Sequence, residues 1–241
     1  MLPNDPIRHH RIKKIVITII IVPIALFLML LIVGLVASVF ERSKQIRSGN
    51  YNIIKQAETN APANTYTEAE KRLIEGLGTQ SFGSSNPKLT IVQFADFACP
   101  YCRASFAGFR ELSLKYQANV KIIFRDWPGH QYSIQLALGA YCAGEQNKFW
   151  EMHDLLYLNQ SDSFGADKND LARLASELNI YNEQFQSCFD SKKHLALIQK
   201  NTLDSQSLGV AGTPTWFFNG TKIEGALDKT ELEDLIKVYV E

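Results

Sequence analysis

The stretch FADFACPYCRASF, Phe94 to Phe106, decides how the rest of the chain is read. Two of the chain's four cysteines, Cys99 and Cys102, stand in it with Pro100 and Tyr101 between them. A Cys-x-x-Cys pair can hold a metal, staple a loop or exchange electrons with other thiols. The letters before it, KLTIVQFAD, are a short apolar run rich in β-formers and read as a buried strand. The letters after it carry Phe106, Phe109, Leu112, Leu114 and Tyr116, apolar residues at helical spacing. Cys99 therefore falls where a strand gives way to a helix. Unpaired amides and the helix dipole favour negative charge there. Such a position lowers a thiol pKa from ~8.5 into the range ~3.5–7.5. Cys102, one turn on, is within bonding reach, and Pro100 suits the first helical position. Structural zinc needs four ligands, whereas Cys142 and Cys188 stand alone and far apart. The letters thus favour a redox centre, with a static Cys99–Cys102 staple as the bland alternative.

Working outward, the order of elements is strand, helix, strand (NVKIIFRDWP), then a mostly helical block over about residues 131–208. Five helical segments fill that block, separated by polar or glycine breaks. TPTWFFNG and TKIEGA read as two further strands, and DKTELEDLIKVYV as a closing helix with Asp228 as its N-cap. Upstream, TEAEKRLIEGLG carries a capping-box pair, Thr67 and Glu70, and SFGSSNPKLT reads as loop. The fold class expected is α/β: a thioredoxin-like arrangement with a helical insertion. His130 and His153 read as packed or surface side chains, and Trp127, Trp150 and Trp216 as core or groove wall.

The N-terminal part is different. Ile15 to Phe40 is a run of 26 residues without a charge. As a helix it would span about 39 Å, more than the ~30 Å hydrocarbon core of a bilayer. It is also longer than the usual ~7–15-residue core of a signal peptide, although the small residues Val36-Ala37-Ser38 resemble a cleavage site. The expectation is a single N-terminal transmembrane helix over 15–40, a cytoplasmic tail over 1–14, a polar tether over 41–66 and a catalytic domain over 67–241. Four basic residues precede the run and three follow it, a slight bias toward a cytoplasmic N-terminus. Over the whole chain 25 basic residues balance 25 acidic ones, which leaves no net field to attract nucleic acid.

A second feature lies in GVAGTPTWFF. Proline cannot donate to a central strand, so Pro214 marks a strand start or edge. By itself Thr213-Pro214 reads as an ordinary trans bond at a loop end; a cis bond would turn the Thr213 backbone toward an extended substrate.

Taken together, IVQFADFACPYC, KFWEMHDLLYLNQ and GVAGTPTWFFNG, in that order, resemble the DsbA-like branch of the thioredoxin superfamily over about Ser81 to Glu241. Glutaredoxins share Cys-Pro-Tyr-Cys but lack the long helical insertion. The resemblance implies that Cys99 is the attacking thiol and Cys102 the resolving one, with Pro100 and Tyr101 tuning the potential. It implies that Pro214 is a cis-proline facing them, that Thr213 contacts substrate backbone, and that Cys142 pairs with Cys188. Many relatives carry an acid six positions before the first cysteine; here that residue is Gln93, and an acid, Asp96, stands three before. The function implied is a disulfide oxidase for cysteine-containing substrate proteins, anchored in the inner membrane of a bacterium and facing the extracytoplasmic space. No cofactor is implied beyond the Cys99–Cys102 disulfide, and reoxidation falls to a membrane quinone-linked thiol oxidase. The alternatives are a reductase or isomerase of the same fold, or a tethered chaperone without redox turnover.

Overall fold

The structure, a computed structural model, describes residues 22–38, 67–160 and 167–241. The chain divides into two compact units, residues 1–52 and 53–241. In the first, residues 22–38 are helical and carry exposed large apolar side chains such as Phe27, Leu30 and Leu35. Among the described residues no helix is long and apolar enough to cross a membrane. The expected span over 15–40 is thus only partly within the described residues, and the expected tail and tether, 1–14 and 41–66, lie outside them.

The second unit is built around β2 (Leu89–Ala95), every residue of which is buried. A strand with no exposed face must be covered on both sides, and its neighbours show how. It pairs in parallel with β3 (Val120–Asp126), from Leu89 opposite Val120 to Ala95 opposite Asp126. The crossover between them is α2 (Pro100–Lys115). On its other side β2 pairs antiparallel with β4 (Thr215–Phe218), and β5 (Thr221–Glu224) follows by a hairpin. The fifth strand is β1 (Gln80–Gly83), antiparallel to β3, giving the order β1-β3-β2-β4-β5.

Strand β1 corrects the sequence reading, which took this segment as loop. Its residues alternate between half-buried and exposed, and it ends on a glycine, so no apolar run announces it. Gly83 has φ of 99°, and a Cβ there would lie 2.2 Å from the Val120 carbonyl oxygen. The close approach that makes Gly83 a strand-end residue also makes it look like a loop residue in sequence.

Helix α1 (Glu68–Glu75) starts at the Thr67–Glu70 capping box. The block inserted between β3 and β4 holds α3 (Ser133–Gly144), α4 (Phe149–Leu158), α5 (Lys168–Glu177), α6 (Asn182–Asp190) and α7 (Leu195–Ser207). The last helix, α8 (Lys229–Val240), starts at an Asp228–Glu231 capping box. One sheet face packs Leu89, Ile91 and Trp216 on Phe109 and Leu112 of α2 and Leu232 and Leu235 of α8. The other packs Val92, Phe94 and Phe217 on Ile74 and Val210. A third core, through Phe97, Phe106, Tyr141, Phe149 and Tyr157, joins the helical block to the loop that carries the cysteines.

A buried cation fastens α1 and α7 to the sheet. Arg125 of β3 has no exposed side-chain surface and lies against Asp204 at 2.6 Å. It also donates to Asn201 and to the Leu73 and Ile74 carbonyls at the end of α1. Gly76 follows with φ of 73°, and a Cβ there would meet the guanidinium at 2.6 Å. This glycine, which ends α1, therefore also makes room for the charge.

Candidate active site

Cys99 caps the N-terminus of α2 with extended backbone (φ −78°, ψ 123°), and Pro100 takes the first helical turn. The proline gives up no hydrogen bond, because the first-turn amides have no partner within the helix. Cys102, one turn on, points inward; both cysteines are buried, and both are free thiols. Tyr101, between them, is 65% exposed.

The preceding loop is fixed by Asp96. Its backbone carbonyl accepts from the Cys99 amide at 3.0 Å. Its carboxylate accepts from the Ala98 and Gly129 amides, each at 2.9 Å, and from the Ser133 hydroxyl at 2.8 Å. His130 Nδ1 lies 2.7 Å from the same carboxylate. From the other side, the Gln160 side chain at the end of α4 donates to the Phe97 and Cys99 carbonyls, at 2.6 and 3.1 Å. The cysteine loop is thus held by both α3 and α4 of the insertion.

Thr213-Pro214 is a cis peptide bond. It brings the Thr213 carbonyl oxygen within 3.4 Å of Cys99 Sγ, across 114 positions of sequence. The Thr213 hydroxyl is buried with no hydrogen-bond partner of its own. The environment separates the two thiols. Cys99 is pulled down to about 5, chiefly because the Cys102 thiol donates to its sulfur; burial opposes this, and the Thr213 side chain and the Cys102 and Tyr101 amides assist. Cys102 is pushed far up by its own burial and then by the adjoining Cys99 sulfur. One sulfur is an anion at neutral pH and its neighbour a protonated donor, which is the state a nucleophile and its resolving thiol require.

Of the residues picked from the sequence, Cys99, Cys102, Pro100, Tyr101, Thr213 and Pro214 come together here. Cys142 and Cys188 lie apart from them in the helical block, joined by a disulfide with Cα atoms 5.7 Å apart. Gln93 is buried in β2, opposite Phe124 and Trp216. His153 is packed in a cage of aromatic rings, 5.6 Å from Phe97 and 5.0 Å from Tyr157, and burial lowers its pKa. His130 is a partly exposed surface side chain that also contacts the Asp96 carboxylate. The roles of Gln160, Ser133 and Tyr157 escaped the sequence reading altogether. Tyr157 donates weakly to the Asp96 carbonyl at 3.4 Å, and burial holds its phenol well above the usual value. The letters NQ directly after α4 were the available signal for Gln160. Beside the cysteines, Phe97, Pro100, Arg103, His130, Tyr132 and Leu156 help to line an open cleft of about 910 Å³.

The thioredoxin family model matches residues 77–238. The Na(+)/H(+) antiporters NhaA 3 of Salinispora tropica and NhaA 1 of Salinispora arenicola are 34% and 32% identical over 146 and 147 residues. Those matches take in 59% and 60% of this chain but 22% of each antiporter, so the chain spans about a fifth of the length of these relatives. Among solved structures, a thioredoxin-like oxidoreductase from Silicibacter pomeroyi is 26% identical with TM-score 0.61, covering 71% of this chain and 96% of that one. Oxidised BdbD from Bacillus subtilis has 23% identity and TM-score 0.60, over 68% and 94%. The α-DsbA1 protein of Wolbachia pipientis has 20% identity and TM-score 0.63, over 70% and 95%. The last two show the fold alone. With its matched residues covering more than half of its length, the chain belongs to the thioredoxin family.

Proposed function

We propose that the chain is an extracytoplasmic thiol–disulfide oxidoreductase that passes the Cys99–Cys102 disulfide to cysteine-containing substrate proteins. The observation that carries this reading is the geometry at the start of α2, with Cys99 at the helix N-cap, Cys102 buried one turn on and the Thr213 carbonyl oxygen 3.4 Å from Cys99 Sγ. A substrate thiolate attacks Cys99 Sγ; the Cys99–Cys102 bond breaks, and Cys102 leaves with the electron pair and takes up a proton. The second substrate thiolate attacks the substrate sulfur of the mixed disulfide, and Cys99 leaves as a thiolate. The substrate loses two electrons and the enzyme gains them. A low-pKa leaving thiol speeds that second step and stabilises the reduced enzyme, by about 1.4 kcal/mol for each unit its pKa lies below the working pH. Both effects favour oxidation of substrates over their reduction.

The Thr213 carbonyl beside Cys99 and the cleft next to Pro100 give an extended peptide a backbone partner and a wall. An N-terminal anchor fits the uncharged run over 15–40 and the exposed apolar side chains over 22–38. It would place the reduced enzyme next to a quinone-linked thiol oxidase in the same bilayer. Equilibration of the full chain with glutathione redox buffers tests the direction: a midpoint well below the glutathione couple overturns the oxidase reading. Full activity of Cys99→Ser in cells would overturn the redox reading and leave a binding role. A topology reporter fused after Glu241 should be active outside the cytoplasm.

A further inference from the structure

The second cysteine pair sits among polar side chains that a structural disulfide does not need. Cys142, in the last turn of α3, is bonded to Cys188 of α6. Cys188 Sγ lies 3.6 Å from Glu145 Oε1, and the same oxygen lies 2.8 Å from His194 Nε2. The sulfur, the imidazole nitrogen and a carboxylate oxygen are all within 4.8 Å of one another. The His194 ring stacks on Tyr141 with centroids 5.5 Å apart, which holds its orientation. An open polar cavity of about 270 Å³, lined by Glu145, Gln184, Ser187, Cys188, Ser191 and Lys193, gives solvent a route to the cluster.

Two thiolates, an imidazole and a carboxylate make a donor set for tetrahedral zinc. With metal–ligand distances of about 2.0–2.3 Å, ligand atoms in such a site stand roughly 3.3–3.8 Å apart. The Cys188–Glu145 separation already falls in that range, and His194 and Glu145 need to part only slightly. Lys193, now 2.8 Å from Glu145 Oε1 with a 60% exposed side chain, is free to swing into solvent. The fourth ligand, Cys142 Sγ, is held beside this trio by its bond to Cys188 and becomes a thiol when that bond is reduced.

We propose that reduction of Cys142–Cys188 uncovers a Zn²⁺ site formed by Cys142, Cys188, His194 and Glu145. The reductant is a dithiol: it becomes a disulfide, and its two electrons and two protons give two cysteine thiols. Zinc then binds both sulfurs as thiolates, and the two protons leave to solvent. The bound ion ties α3, α6 and the start of α7 together where the disulfide tied α3 to α6. The block that holds the Cys99 loop thereby stays assembled in either state. The proposal does not depend on the chemistry at Cys99.

The test uses the full chain in detergent with Cys99→Ser and Cys102→Ser, so that the first pair cannot bind metal. The chain is reduced with a phosphine, freed of it without air, and titrated with Co²⁺ and then Zn²⁺. Expected are one ion per chain, thiolate-to-cobalt charge transfer with the visible bands of tetrahedral cobalt, and displacement by zinc. His194→Ala and Glu145→Gln should each weaken binding at least tenfold, with circular dichroism confirming that they fold, and the oxidised chain should bind neither ion. The proposal is overturned if the reduced chain takes up no stoichiometric metal, if both substitutions leave affinity unchanged, or if the oxidised chain binds equally well.

Discussion

Cys99 Sγ and the Thr213 carbonyl oxygen lie 3.4 Å apart although 114 positions separate them in sequence. The contact joins the start of α2 to the start of β4, and the Thr213 hydroxyl lies there without a hydrogen-bond partner. Unpaired in this geometry, the hydroxyl is still near enough to the sulfur to help lower the Cys99 pKa, so its loss should be felt at the sulfur and hardly in stability. In the reduced chain, alkylation of Cys99 should follow a single titration with a midpoint near 5, slow below it and fast above. Thr213→Val, close in shape, should raise that midpoint and change denaturant stability by less than about 1 kcal/mol. A midpoint near that of an ordinary thiol in the unsubstituted chain would contradict the site described above.

The same thiolate links redox state to stability. A cysteine pKa depressed on folding contributes stability that is fully present above the unfolded value of 9.0 and lost as pH falls through about 5. Only the reduced chain has this group. The stability of the reduced chain relative to the oxidised one should therefore rise between pH 5 and 9, by roughly 2–3 kcal/mol at pH 7. Urea melts of both forms at pH 5 and pH 7.5 measure it; a gap that does not change with pH would refute it.

Much of this arrangement was legible in the letters, because its signals are local. Cys99 lies between a β-rich run and a helical one, and that junction alone places it at a helix N-terminus. Thr67 with Glu70, and Asp228 with its helix, announce their caps within four residues. What escaped depends on contacts between distant segments. Strand β1 has too little apolar character to be seen without β3 beside it. Gln160 matters because the end of α4 returns to the cysteine loop, and Asp96 because Gly129, His130 and Ser133 converge on it. Arg125 is an ordinary strand charge until α1 and α7 close over it.

That convergence makes Asp96 a heavy loss. Asp96→Ala leaves the Ala98 and Gly129 amides without their acceptor in a buried loop, while the Ser133 hydroxyl keeps the His130 carbonyl. The expected destabilisation is roughly 2–4 kcal/mol, against about 1 for Ser133→Ala, which leaves the Ala98 and Gly129 amides satisfied and frees the part-buried His130 amide alone. Equal losses from the two substitutions would show that the carboxylate does not organise the loop.

Arg125 gives a sharper contrast. Asp204→Ala strips its salt-bridged carboxylate and leaves a buried cation, for an expected cost of about 3–5 kcal/mol. Lys200→Ala removes the exposed partner of the same carboxylate and should cost less than about 1 kcal/mol. Chemical denaturation of the two variants separates them, and near-equal effects would rule out the buried pair as the fastening of α1 and α7.

Asp126, next in the chain, titrates in the opposite sense to Cys99. It is fully buried at the end of β3, and burial raises its pKa to about 6 although Tyr141 and Asn201 both donate to it at 2.7 Å. A carboxyl whose pKa is raised on folding binds more protons in the native state than in the unfolded one between its unfolded value of about 3.9 and its folded value. Its contribution to stability is therefore lost as pH rises through that window. Asp126→Asn keeps an oxygen to accept from Tyr141 and Asn201 but cannot ionise. Relative to the unsubstituted chain, this variant should gain stability steadily from pH 4 to pH 7, by on the order of 2–3 kcal/mol in all. Taking the difference between the two chains cancels the exposed carboxylates Glu70 and Glu233, whose lowered pKa values work in the other direction. Thermal or urea melts across this range provide the measurement, and a difference that stays constant with pH would mean that Asp126 is already ionised at pH 4.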